Sequence, residues 1–210
     1  MFGNIILMLG AVYLTFWGRG IVLGFLQTYG LAAYMGPVLA LMLGWFSSLG
    51  VTTTASVSME GKTLWMSKQL PVPATTWMTA KMLVSFTVSV PATLVTAGLL
   101  AFGLNLPAAD ALMVTAVPLI SICAFSVFGL WLNLKNPKLN WKYEAEVVKQ
   151  STPVMVIALG SMLVFGALAA GVFFLPGRLV LLGWSLLSLS LALLTWRYLS
   201  RNAERLRLGL

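Results

Sequence analysis

Apolar runs of about 20 residues recur along this chain, parted only by short polar segments, and that pattern leaves little choice of fold. A run of this length crosses the hydrocarbon core of a bilayer as a helix, because only then are its backbone polar groups satisfied without water. Runs stand near 3–24, 31–56, 77–103, 109–132, 153–174 and 179–198. The first is interrupted at Gly18-Arg19-Gly20, which admits a short span followed by a re-entrant segment. Hydrophobic residues make up 60% of the chain and charged ones 9%, a composition outside that of soluble domains. The expected fold is all-α, a polytopic transmembrane bundle of about six spans forming one domain over 1–210.

Orientation follows from the basic residues, which are costly in the membrane and are retained on the cytoplasmic side. With both termini inside, Lys62, Lys68, Lys81, Lys135, Lys138, Lys142, Lys149, Arg197, Arg201, Arg205 and Arg207 are cytoplasmic, leaving only Arg19 and Arg178 outside. The net charge of +8 then reports orientation and contact with lipid headgroups, and no nucleic-acid partner is expected. The expected location is the cell membrane, multi-pass. Lys81, about one turn inside its span, is expected to snorkel to the surface. The basic tail after Trp196 is expected to rest on anionic headgroups. Cys123 stands alone within a span and can form no intrachain disulfide.

The longest polar interruption after the first two spans is Ser56 to Leu83. At a helical period Met59, Thr63, Met66 and Leu70 share one face, and Glu60, Leu64 and Lys68 the opposite one. Such a helix lies along a membrane surface and shows its second face to a partner. Pro71-Val72-Pro73 stops it, and a new helix is expected to start at Thr75 or Thr76.

Small or hydroxyl residues recur every fourth position in the second span, at Gly36, Ala40, Gly44, Ser48, Thr52 and Ser56, which suits close helix packing. The row continues into Glu60, Leu64 and Lys68, as though span and surface helix were one rigid body. Ser85, Ser89 and Thr93 line the third span at the same spacing, with Pro91 beside them; such hydroxyls usually bond back to their own helix. Pro118, Ser121 and Ser126 stand similarly in the fourth span. Gly166 with Ala170 and Ala167 with Gly171 repeat the packing spacing in the fifth, and Pro176-Gly177-Arg178 makes the fifth and sixth antiparallel neighbours. Between the fourth and fifth spans, Asn133 to Ser151 reads as a turn at Asn136-Pro137, an N-cap at Asn140 and a short helix from Trp141 to Gln150.

Several chemistries are excluded. Without histidine, no ordinary zinc site and no Ser-His or Cys-His pair can be built. The acidic residues Glu60, Asp110, Glu144, Glu146 and Glu204 fall in loops or at span ends, unlike those of ion-driven carriers or intramembrane aspartyl proteases. Gly61-Lys62-Thr63 has the residue types that end a phosphate-binding loop, but Ser56 stands where that loop needs glycine. No catalytic, cofactor-binding or metal residue is assigned, and the chain is not expected to be an enzyme.

Two stretches carry a resemblance. SMEGKTLWMSKQLPVPATTWMTAKML resembles the S-x-E-G-K-x-x-W-x-x-K-x-L-P segment in membrane subunits of ATP-binding-cassette exporters of the type 2 class. FGLWLNLKNPKLNWKYEAEVVKQS resembles the G-L-x-x-N-L-x-x-P-K-x-x-W-x-x-E-x-E-x-V-K-Q stretch of the same proteins. The resemblance implies a permease whose coupling segment, about 57–76, docks on a separate nucleotide-binding ATPase subunit through Glu60, Gly61, Lys62, Leu64, Trp65, Lys68, Leu70 and Pro71. It sets Asn133, Pro137, Trp141, Glu144, Glu146, Lys149 and Gln150 in the second cytoplasmic loop, about 133–152. ATP and magnesium would belong to the partner. The likeness is to the carboxyl-terminal half of longer members, which implies a second permease half or a homodimer. The competing expectation is a non-transporting scaffold or immunity-type subunit with the same fold.

Overall fold

A computed structural model of the chain describes residues 2–69 and 71–209, leaving aside the side chains of 2–7, 26, 32, 62 and 149. Among the described residues there is no strand, and six helical stretches are long and apolar enough to cross a membrane. The protein is a multi-pass helical membrane protein. The first stretch is α1 (Phe2–Tyr13), a π-helical turn (Leu14–Gly18) and α2 (Arg19–Thr28); the second joins α3 (Met35–Leu49) to α4 (Thr53–Ser56). A 3-10 segment (Ser58–Thr63) and α5 (Leu64–Gln69) lead to α6 (Ala74–Gly103), followed by α7 (Ala108–Lys135). Short α8 (Glu144–Gln150) precedes α9 (Thr152–Phe174); α10 (Gly177–Arg201) and α11 (Ala203–Leu208) end the chain.

The glycines of the first stretch do not break it. An extra residue is absorbed in the π turn, as helices commonly do without ending, and the helix runs on to Thr28, so the re-entrant expectation is not met. Thr15 holds the turn, its hydroxyl 2.7 Å from the Ala11 carbonyl and 3.0 Å from that of Leu99 on α6. Tyr13, Trp17, Ile21, Phe25 and Tyr29, four residues apart, remain exposed along the outer row.

Buried at the centre, α7 packs against α3, α6 and α10. Gly36 lies beside Asp110 and Gly44 beside Phe165 and Ser121; a Cβ on Gly36 would stand 2.7 Å from the Asp110 side chain. The four-residue row of small side chains is therefore a packing seam within the chain, with Ala40 and Ser48 fully buried. It is not one rigid rod, however. The helix bends at Gly50-Val51, tightens after Val57 and reverses its backbone twist at Gly61.

Thr79, Thr87 and Thr96 of α6 bond back to their own helix, but Ser85, Ser89 and Thr93 bond across helices. Ser47 pairs with Thr93 at 3.0 Å, the Thr52 amide donates to Ser85 at 3.2 Å, and Ser89 donates to the Gly50 carbonyl. Back-bonding, the usual habit of such residues, gives way here because the small seam on α3 brings these groups within reach. These pairs also set α6 antiparallel to α3. At one end of the bundle Arg178 meets Asp110 at 3.2 Å, and the Asn105 amide, oriented to suit both partners, accepts from Arg19 at 2.6 Å. The remaining described basic residues lie toward the other end, with the two polar segments and α11.

Candidate functional site

The two segments that carry the resemblance fold against each other. Coming off α4, the chain tightens into a 3-10 turn and then meets Gly61 at φ 46°, ψ −118°, a conformation open to glycine and strained for other residues. A Cβ there would stand 2.8 Å from Trp141 Nε1, so glycine is required twice over, for its backbone and for the ring against it. The turn divides the expected surface helix. Only α5, from Leu64 to Gln69, is α-helical, and the two faces drawn at a single period do not persist across Gly61.

Ser58 sits at the centre of the junction, fully buried. Its amide and its hydroxyl both donate to Asn133 Oδ1, at 3.0 and 3.2 Å, and the Asn133 side-chain amide donates to the Thr54 carbonyl. Beyond α7 the chain returns to the same serine: the Lys138 amide donates to Ser58 Oγ at 2.9 Å, and the Trp141 indole donates to the Ser58 carbonyl at 2.9 Å. Every polar group of Ser58 is thus held by residues 133–141. Trp141 is drawn inward by this bond, so the loop helix starts only at Glu144, with Asn140 exposed and Tyr143 extended before it. The expected N-cap at Asn140 and the start at Trp141 are corrected accordingly.

Beside the junction Lys81 lies 2.6 Å from Glu60, 2.9 Å from the Ser56 carbonyl and 4.7 Å from the centre of the Trp77 ring. The lysine is 11% exposed and the glutamate 22%. Lys81 therefore turns inward and does not snorkel, because a carboxylate, a carbonyl and an indole face together satisfy an ammonium better than a partial path to water. Glu60, placed by its sequence on a partner-facing side, is partly buried, and its Oε2 is buried without a partner among the described residues.

A third element reaches the site. Glu204 on α11 caps α6, accepting from the Ala74 amide at 2.9 Å, while Arg207 donates to the Val72 carbonyl at 2.7 Å and to that of Ser67. The helix starts at Ala74, one residue ahead of the expected caps, because its first amide is satisfied from α11. The elbow Pro71-Val72-Pro73 exposes carbonyls that no helix can use, and Arg207 takes one of them. Arg207 is buried, so this part of the basic tail does not rest on headgroups; Arg197, Arg201 and Arg205 are exposed.

Of the residues implied by the resemblance, Gly61, Leu64 and Asn133 are buried, Glu60, Lys68, Pro137, Trp141 and Glu146 are half-buried, and Trp65, Pro71, Glu144 and Gln150 are exposed. Glu146 meets Lys138 at 3.5 Å. Leu70 and the side chains of Lys62 and Lys149 lie outside the described residues. The outer side carries Met59, Trp65, Met66 and Val72, all exposed apolar groups. Ser58, Thr54, Glu204 and Arg207 were not legible as partners of the site, and Asn133, placed by its sequence in the loop, stands in the last turns of α7. Among the described residues no three of His, Cys, Asp or Glu gather as metal ligands. Set beside family models, curated proteins and solved structures, the chain matches none.

Proposed function

We propose that this chain is the transmembrane subunit of an ATP-binding-cassette exporter of the type 2 class, working with a separate ATPase subunit. The observation that carries the reading is the Trp141 bond to Ser58, with the same ring laid on Gly61. It joins, in one rigid polar unit, the two segments whose residues resemble that class. The docking face is then the outer side of the unit: Met59, Trp65 and Met66, with Lys68 beside them.

In this reading the unit lies on the cytoplasmic side of the cell membrane, with ATP and magnesium held by the partner. Motion passes inward by a different route from a straight rod. Glu60 pulls on Lys81 and so on α6, and Ser58 pulls on Asn133 and so on α7, which puts both helices under the control of the docked face. A second permease half or a second copy of this chain completes the path.

Co-purification tests the assignment. The tagged chain, extracted in mild detergent from its native host, is expected to bring an ATPase with it. A Trp65→Ala, Met66→Ala chain, altered only in exposed side chains, is expected to lose that partner while keeping its elution profile. If the intact chain brings no ATPase, the exporter reading fails. An ATPase that binds yet is stimulated by no exported compound favours the non-transporting scaffold.

A further inference from the structure

A groove runs along the outside of the bundle between α7, α9 and α10, and it is a different surface from the junction just described. Its deeper part, about 570 Å³, is walled by Phe125, Phe128, Ile157, Val164, Trp184 and Leu191. A shallower part of about 330 Å³ continues it past Phe128 and Thr195, which line both, to Trp131, Lys135 and Tyr198. Helical rise sets the length: from Ala124 to Lys135 on α7, and from Trp184 to Tyr198 on α10, is about 17 and 21 Å. That is close to the depth of one leaflet's hydrocarbon, about 15 Å.

The chemistry changes along it. Apart from Thr195 at the boundary, the hydroxyls and the indole of the deep part are already committed: Ser161 donates to Ala158, Ser188 to Ser185, and Trp184 to Ser121. That wall therefore offers a guest apolar contact without hydrogen bonds. The shallow end offers the reverse. Lys135 is exposed, its ammonium rests 4.6 Å from the centre of the Trp131 ring, and no carboxylate among the described residues pairs with it. Tyr198 lines the same end, and Arg201, one turn further on the same side of α10, is exposed and basic.

We propose that this groove binds a phospholipid of the surrounding bilayer with an anionic headgroup, one acyl chain lying along α9 and α10 and the phosphate at Lys135, Tyr198 and Arg201. An apolar trough one leaflet deep that ends in cations not paired with any carboxylate among the described residues matches that amphiphile end to end. A zwitterionic lipid fits the trough but gains less at its mouth. A helix from a partner would leave Lys135 without a counter-charge. The inference does not rest on the exporter assignment.

Native mass spectrometry of the purified, delipidated chain tests it, with phosphatidylglycerol and phosphatidylcholine of identical acyl chains. The intact chain is expected to retain phosphatidylglycerol in preference. Lys135→Ala is expected to reduce that preference about fivefold while sparing phosphatidylcholine. Gly160→Phe is expected to abolish retention of both lipids. Gly160 lines the groove, and a Cβ there meets nothing within 4 Å, so the ring enters open space. Ala167→Phe, on the same wall, serves as the second filling variant should the first fail to elute as a single species. Equal retention of the two lipids by the intact chain overturns the proposal, as does an unchanged preference in the exposed-site variant Lys135→Ala. Undiminished retention in a well-folded filled variant overturns it as well.

Discussion

The Lys81 ammonium lies 2.6 Å from the Glu60 carboxylate, at the point where α6 passes the 3-10 turn. Neither side chain was expected there. In the sequence one was a lysine rising to the headgroups and the other an acid facing a partner. Their meeting ties the outer segment to a membrane-spanning helix.

Breaking this pair from one side should be costly. Lys81→Ala leaves a mostly buried carboxylate without its cation, and a loss of about 3 kcal/mol is expected. Lys81→Met with Glu60→Leu, which keeps the volume without charge, should recover most of it. Thermal melting in detergent of Lys81→Met, of Glu60→Leu and of the two together gives the coupling directly. Strict additivity would show that the pair does not form.

At Asn133 the expected cost lies in what is left behind. Asn133→Leu removes the acceptor of the Ser58 amide and hydroxyl and the donor to Thr54, each a buried group worth about 1–3 kcal/mol when orphaned. Asn133→Asp keeps the acceptor but buries a carboxylate whose second oxygen faces the Thr54 carbonyl, so it too should melt well below the native chain in the same series. A Leu variant as stable as the native chain would contradict the bonding described.

Gly61 is tested by substitution and relief. Gly61→Ala brings both a strained φ and a methyl group into the Trp141 ring, a loss of about 1–3 kcal/mol. The combined Gly61→Ala, Trp141→Ala chain removes the clash and keeps the strain. Limited proteolysis at Lys62 and Lys68 should cut the single variant faster than the native chain. If the ring is the main obstacle, melting of the double variant will be less than additive.

Carboxyl-terminal residues should govern the elbow. Glu204→Ala uncaps α6, with about 1 kcal/mol expected, and Arg207→Ala leaves the Val72 and Ser67 carbonyls without this donor. Hydrogen exchange at the first turn of α6 should rise in Glu204→Ala while the middle of the helix stays protected. No change at Ala74 would place the cap elsewhere.

What the sequence determined by itself was the set of spans and the packing seam. Twenty-residue apolar runs have one solution in a bilayer, and a four-residue repeat of small side chains allows close approach whatever the partner, so both were readable locally. The seam's partner was not readable. That Gly36 meets Asp110 and Gly44 meets Phe165 depends on how six helices are arranged, which no single run encodes. The surface helix failed for a related reason: periodicity assumes one backbone twist, and Gly61 changes it because Trp141, eighty residues on, needs the space. Lys81, Ser85 and Thr93 were read from their own helix, where snorkelling and back-bonding are the default. The tertiary structure overrode those defaults by bringing Glu60, Thr52 and Ser47 within bonding distance. In a dry interior a polar side chain takes the nearest partner, and only the folded chain decides which partner that is.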